Sequence, residues 1–208
     1  MARNENLYTA VLTGKRKDVA ALVQEDIDSN VPVADILMDS MVPAMAEIGD
    51  RFSRNEAYVP EMLIAARAMQ AGLDLLDPLL AAAGHEPIGK VAVGTVKGDL
   101  HDIGKNLVAM MLKGAGFEVM DLGVDCDVEK YKEAIDNGAQ AILLSALLTT
   151  TMPYMKEIID NLGDSGAKIL IGGAPVTQEY ADEIGADGYS DDANTAVKAA
   201  KTALGIAA

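Results

Sequence analysis

The chain has 208 residues, 50% of them hydrophobic, which is enough to bury a sizeable core and suits one large domain or two small ones. Its formal charge is −15, from 17 Lys+Arg against 32 Asp+Glu. A surface of that sign repels a phosphate backbone, so nucleic acid is excluded as a partner and the acidity reads as a solubility device. No apolar run approaches the roughly 20 residues that cross a bilayer, the opening MARNENLYTA lacks a signal-peptide layout, and the single cysteine, Cys126, allows neither an internal disulfide nor a cysteine-built metal site. Together these point to a cytoplasmic protein with no membrane partner.

The first part of the chain has a helical period. A short segment near Leu7–Leu12 comes first, then Val19, Leu22, Val23 and Ile27 on one face, then Leu37, Met41, Met45, Ile48 and Phe52. A longer stripe follows through Val59, Met62, Leu63, Ala66, Met69, Leu73, Leu76 and Leu80. Pro60 fits the first turn of that last helix. Pro43 falls inside the preceding pattern and is expected to kink or split it. The sum is a bundle of four or five helices over residues 1–86.

After GHEPIGK, residues 84–90, the rhythm changes. Short runs rich in β-branched residues (Val91–Val96, Phe117–Leu122, Ala141–Ala146, Lys168–Ile171 and Gly188–Tyr189) alternate with helical stretches. The latter cover Ile103–Lys113, Val128–Asn137, Met152–Leu162, Gln178–Ile184 and Asn194–Leu204. Strand–helix alternation of this kind makes a parallel sheet covered on both faces. The expected architecture is therefore a helical cap domain followed, over residues 87–208, by a flavodoxin-like, Rossmann-like α/β domain with five parallel strands.

Open parallel sheets bind ligands beyond the carboxyl ends of their strands, where the strand order reverses. For the order 2-1-3-4-5, the loops at residues 97–104 (KGDLHDIG), 145–153 (SALLTTTMP) and 172–177 (GGAPVT) converge at that edge. Neither common phosphate loop is present: Gly94, Gly98 and Gly104 do not make a G-x-G-x-x-G, and the Walker spacing fails because Lys105 precedes Asn106. His101 is one of only two histidines; the other, His85, lies in the linker without companions. A zinc site wants three or four donors, and Asp99, His101 and Asp102 are a poor set. A metal that arrives already ligated in its equatorial plane needs only one axial donor, and Asp99 is placed to orient such a histidine through the ring's other nitrogen.

Here the sequence resembles the cobalamin-binding domains built on D-x-H-x-x-G, S-x-L and G-G. The matching residues are Asp99-x-His101-x-x-Gly104, Ser145-x-Leu147 and Gly172-Gly173. The helical part is similar to the cap of cobalamin-dependent methionine synthase and of the corrinoid proteins of methylamine, methanol and methoxy-aromatic methyltransferases. This resemblance covers nearly the whole chain. It implies a cobalamin or related corrinoid as cofactor, with His101 as lower axial ligand to cobalt, Asp99 bonded to its ring and Asp102 in the same motif. Thr151 stands where methionine synthase places the serine of its relay. Ser145, Leu147, Thr149, Gly172 and Gly173 would line the slot for the nucleotide tail, and Tyr58 and Met62 match the part of the cap that covers the upper face.

The function implied is a methyl carrier with no catalytic residue of its own, serving three kinds of partner. These are a substrate-specific methyltransferase, a second methyltransferase that passes the methyl to tetrahydrofolate or a thiol, and a reductive activase. The runner-up is the cobalamin-binding small subunit of an adenosylcobalamin-dependent mutase, whose subunits share D-x-H-x-x-G but generally lack such a cap. A cobalamin-sensing transcription regulator would need a basic DNA-binding helix, which this acidic chain lacks. A flavodoxin-like module without any corrinoid is the remaining alternative; for it, His101 is an ordinary loop residue, Ser145 and Thr149 bond the turn backbone, and the 11 methionines are core filler.

Overall fold

The computed structural model describes residues 3–206 and divides into two compact units. One is the chain up to Pro87 together with Gly114–Gly116; the other is Ile88–Lys113 and the chain from Phe117 onward.

The first unit is helical. Helix α1, Glu5–Leu12, is capped by Asn4, whose side chain accepts from the Leu7 N–H. Helix α2 spans Arg16–Asp28, and α5, Val59–Ala82, starts with Pro60 in its first turn, as its pattern predicts. Val19, Val23, Met41, Met45, Ile48, Met69 and Leu76 are buried. Gly72 on α5 leaves space that a Cβ would take from the end of the Met41 side chain.

Pro43 acts one turn before itself. The stripe from Leu37 to Phe52 is a short α3, Val33–Asp35, a π-helical segment, Ile36–Met41, and then α4, Val42–Ser53. A proline ring collides with the carbonyl four residues back, here that of Asp39. Widening the helix moves that carbonyl aside, and the Val42 N–H bonds to Leu37, five residues earlier. The helix is therefore neither broken nor sharply stopped. Among the described residues no helix is long and apolar enough to cross a membrane.

The second unit is a five-stranded parallel sheet in the order β2-β1-β3-β4-β5. Its strands are β1 (Lys90–Val96), β2 (Glu118–Cys126), β3 (Ala141–Ser145), β4 (Lys168–Gly172) and β5 (Gly188–Ser190). The intervening helices are α6 (Ile103–Gly114), α7 (Val128–Asp136), α8 (Pro153–Leu162), α9 (Gln178–Ile184) and α10 (Ala193–Ala203). Ile142, Leu144, Ile169 and Ile171 pack in one core with Met155, Ile158 and Leu162 of α8 and with Tyr131 and Ala134 of α7. The central strands β1, β3 and β4 are almost wholly buried, which is why they read as continuous apolar runs.

Strand β2 continues to Cys126, beyond the expected end at Leu122. Gly123 and Asp125 look like turn residues, and both do adopt left-handed backbone, at φ 78° and 52°. Pairing with β1 survives them through two register shifts: Val93 faces Asp121, Gly94 faces Gly123, and Val96 faces Cys126. These are bulges, which add residues to one strand and re-aim the side chains beyond them.

Registers across the other strands place Thr95 beside Ser145, Ser145 beside Gly172 and Gly172 beside Ser190. This row of small residues marks the carboxyl edge of the sheet, from which the loops after β1, β3 and β4 rise.

Candidate corrinoid-binding site

Asp99 organises this edge. Its backbone N–H bonds the Val96 carbonyl, closing the turn after β1, and its side chain is wholly buried. Oδ1 accepts from the His101 backbone N–H at 3.1 Å and lies 2.7 Å from His101 Nδ1. Oδ2 accepts from the Leu147 N–H at 2.8 Å, the Leu148 N–H at 3.3 Å and the Thr151 hydroxyl at 2.8 Å. The Thr151 hydroxyl also lies 2.9 Å from the Leu148 carbonyl. With one proton to give, it bonds more strongly to the charged acceptor. One carboxylate thus joins the loop after β1 to the loop after β3.

Burial alone would push the Asp99 carboxyl upward. The surrounding donors, led by the Leu147 amide and the His101 ring, outweigh it and hold the group well below the usual carboxylate range. Asp99 is therefore an anion at neutral pH. Against that anion, Nδ1 of His101 is placed to donate, an arrangement that turns Nε2 outward as the atom able to serve as a ligand. The ring is half exposed, 51% against 0% for its partner. Its backbone is held as well, since the buried Thr95 hydroxyl donates to the His101 carbonyl at 2.8 Å.

The two loops that Asp99 joins also expose large aliphatic residues. Leu100 and Ile103 are 72% and 77% exposed, and Leu147 and Leu148 are 43% and 42% exposed. Four large aliphatic residues left in water on the two loops offer apolar surface to a partner molecule. Gly104 lies in the first turn of α6. It has no left-handed backbone to require it, and a Cβ there would meet nothing within 4 Å. The chain's own packing gives no reason for glycine at this exposed helical position, where alanine would be more stable.

The remaining expected site residues fall into four groups. Ser145 is half-buried at the end of β3, and Thr149 is exposed on the following loop. Asp102 is exposed, and its carboxylate accepts from the Asn106 side chain at 2.9 Å, so it stabilises the start of α6. Gly172 and Gly173 are explained first by the protein's own backbone. A Cβ on Gly172 would come within 2.9 Å of the Ser190 carbonyl oxygen, and one on Gly173, at φ 133°, would run into the Ala146 carbonyl. Tyr58 and Met62 belong to the first unit, at the start of α5; Tyr58 is 63% exposed and Met62 is buried.

Three contributors were not among the residues read from the sequence. Thr95 is a hydroxyl in an otherwise apolar strand, a signal that was present in the sequence. Leu148 acts through its amide, which no side-chain pattern reveals. Lys105, beside the motif, is a buried lysine paired with Asp121 of β2; lysine is almost never buried without such a partner. Among the described residues no cluster of three or more His, Cys, Asp or Glu is arranged to hold a bare metal ion. A lone half-exposed imidazole, oriented by a buried carboxylate on loops that expose aliphatic residues, matches a metal that brings its own equatorial ligands.

Comparison with known proteins agrees. The B12 binding domain family matches residues 89–198, and a second family of the same description matches residues 3–77. A corrinoid protein of Desulfitobacterium hafniense (strain Y51) is 40% identical, covering 99% of both chains. Dimethylamine corrinoid protein 1 of Methanosarcina acetivorans is also 40% identical, over 96% of both. Among solved structures, the methanol:cobalamin methyltransferase complex of Methanosarcina barkeri superposes with a TM-score of 0.85 at 27% identity, covering 96% of this chain and 78% of that one. A cobalamin-binding protein of Desulfitobacterium hafniense DCB-2 gives 0.78 at 28%, covering 96% and 97%.

Fold and site thus define a B12-binding protein, whose cofactor is a cobalamin or related corrinoid. Within that class, the chain belongs to the corrinoid proteins.

Proposed function

We propose that the chain carries a methyl group between two partner enzymes, with His101 as the protein's axial donor to the corrinoid cobalt. The observation that carries this reading is the 2.7 Å pairing of His101 Nδ1 with a buried Asp99 that is an anion at neutral pH. Bound there, the corrinoid supplies a cobalt centre that accepts and releases a methyl group.

The protein's own part is to orient and to hold a proton. Asp99 fixes the tautomer and direction of the ring, so Nε2 is the donor atom. Thr151 and the Leu147 and Leu148 amides keep Asp99 from becoming a proton acceptor itself. Leu100, Ile103 and Leu147 offer apolar contact, and Gly104 and Asp102 border the same surface. Ser145, Thr149, Gly172 and Gly173 would line the channel for the nucleotide tail.

The partners are a substrate-specific methyltransferase, a second methyltransferase delivering to tetrahydrofolate or a thiol, and a reductive activase. The relatives named for dimethylamine, and the complex named for methanol, support donors of those two kinds. The test is to mix reduced, corrinoid-loaded protein with a radiolabelled donor, dimethylamine or methanol, and the methyltransferase specific to it. Label retained by the loaded protein and absent from cofactor-free protein supports the carrier role. Loaded protein that takes up label from neither donor contradicts it.

A further inference from the structure

The turn that carries His101 is gripped from a second side, by Asp125 at the end of β2. The Asp125 N–H donates to the Asp99 carbonyl at 3.1 Å, and the Asp125 carboxylate accepts from the Gly98 N–H at 2.8 Å. One residue therefore holds both peptide groups that flank the start of the D-x-H motif. Asp125 does this from left-handed backbone, φ 52°, a conformation costly for most side chains and best tolerated by Gly, Asn and Asp. The two bulges between β1 and β2 bring it there: without those added residues, the end of β2 would be displaced along β1. Its own peptide is held in turn, since Lys130 Nζ lies 3.4 Å from the Val124 carbonyl and 3.5 Å from that of Asp125.

Glycine would satisfy the backbone at 125 more easily. Aspartate instead supplies an acceptor for an amide that the turn leaves pointing outward.

We propose that Asp125 is a positioning residue for the axial histidine, holding the Lys97–Gly98 and Asp99–Leu100 peptides on either side of it so that the Asp99 carboxylate meets the His101 ring. Its hydrogen bonds run to backbone groups of the turn and to Lys130, so it acts on the ring through the turn. This rests on the reading of His101 as the cobalt donor, and the test separates the two.

The protein is loaded with cobalt(II) corrinoid and compared with Asp125→Asn, Asp125→Gly and His101→Ala. Electron paramagnetic resonance gives the ratio of nitrogen-coordinated to uncoordinated cobalt, at a pH where wild type shows both forms. Asparagine keeps both an acceptor oxygen and tolerance of left-handed backbone, so Asp125→Asn stays near wild type. Asp125→Gly keeps the backbone and loses the acceptor, so the ratio falls about five-fold, the factor of one net hydrogen bond, while corrinoid retention and thermal midpoint stay close to wild type. A wild-type ratio in Asp125→Gly, with coordination abolished in His101→Ala, overturns the role of Asp125 and leaves that of His101. Coordination that persists in His101→Ala overturns both.

Discussion

The Asp99 carboxylate stands 2.7 Å from Nδ1 of His101, although the two are separated by a single residue in the chain. The turn after β1 folds the side chains of its first and third motif residues onto each other, and leaves one buried and the other half in water. That division of exposure lets an anion inside the fold govern a ring at its surface.

Asp99 links stability to pH. Its folded value lies below that of an unfolded aspartate, about 3.9, so its contribution is fully present above about pH 4 and is lost as the pH falls through the folded value. Thermal midpoints of cofactor-free protein should fall in that acid range. In Asp99→Asn this component of the acid dependence disappears, and the variant is less stable at neutral pH because the buried donors lose their charged acceptor.

Thr151 contributes one of five donors to that carboxylate. Thr151→Val removes the hydroxyl at nearly constant shape and should cost about 1.5 kcal/mol in urea denaturation, the lower range for a bond to a charged group. Thr151→Ser keeps the hydroxyl and should recover most of that loss.

The Lys105–Asp121 pair is lopsided, with the lysine buried and the aspartate 44% exposed. Removing Asp121 strands a buried ammonium, whereas removing Lys105 leaves a carboxylate that water can reach. Asp121→Ala should therefore lower the thermal midpoint more than Lys105→Met, which fills the same space with an apolar side chain. The reverse order contradicts this assignment.

Gly173 is held at φ 133° against the Ala146 carbonyl, where no Cβ fits. Gly173→Ala should destabilise cofactor-free protein by about 2 kcal/mol or more, since left-handed strain and a backbone clash add. Gly104→Ala, with nothing within 4 Å of the new Cβ, should leave cofactor-free protein as stable or slightly more so and weaken corrinoid retention. Two glycines of one motif set thus separate by which state they serve.

The strands that read most clearly were the buried ones. β1, β3 and β4 have core on both faces, so their apolar runs needed no partner to be recognised. The end of β2 was hidden because Gly123 and Asp125 carry turn chemistry, yet pairing with β1 absorbs them as bulges. Pro43 signalled a disturbance, but not that a π-helical turn at Ile36–Met41 would absorb it. At the site, the motif spacing exposed Asp99, His101 and Thr151, whose side chains do meet. The Leu147 and Leu148 amides and the grip of Asp125 on the Gly98 N–H and the Asp99 carbonyl involve backbone groups, brought together by the meeting of three loops. No residue pattern announces them.

The most direct test is the electron paramagnetic resonance spectrum of the cobalt(II) corrinoid-loaded protein beside His101→Ala. The account predicts coupling to one axial nitrogen in the wild type and its loss in the variant. Coupling that survives in His101→Ala, or its absence from wild type at neutral pH, would contradict His101 as the axial donor.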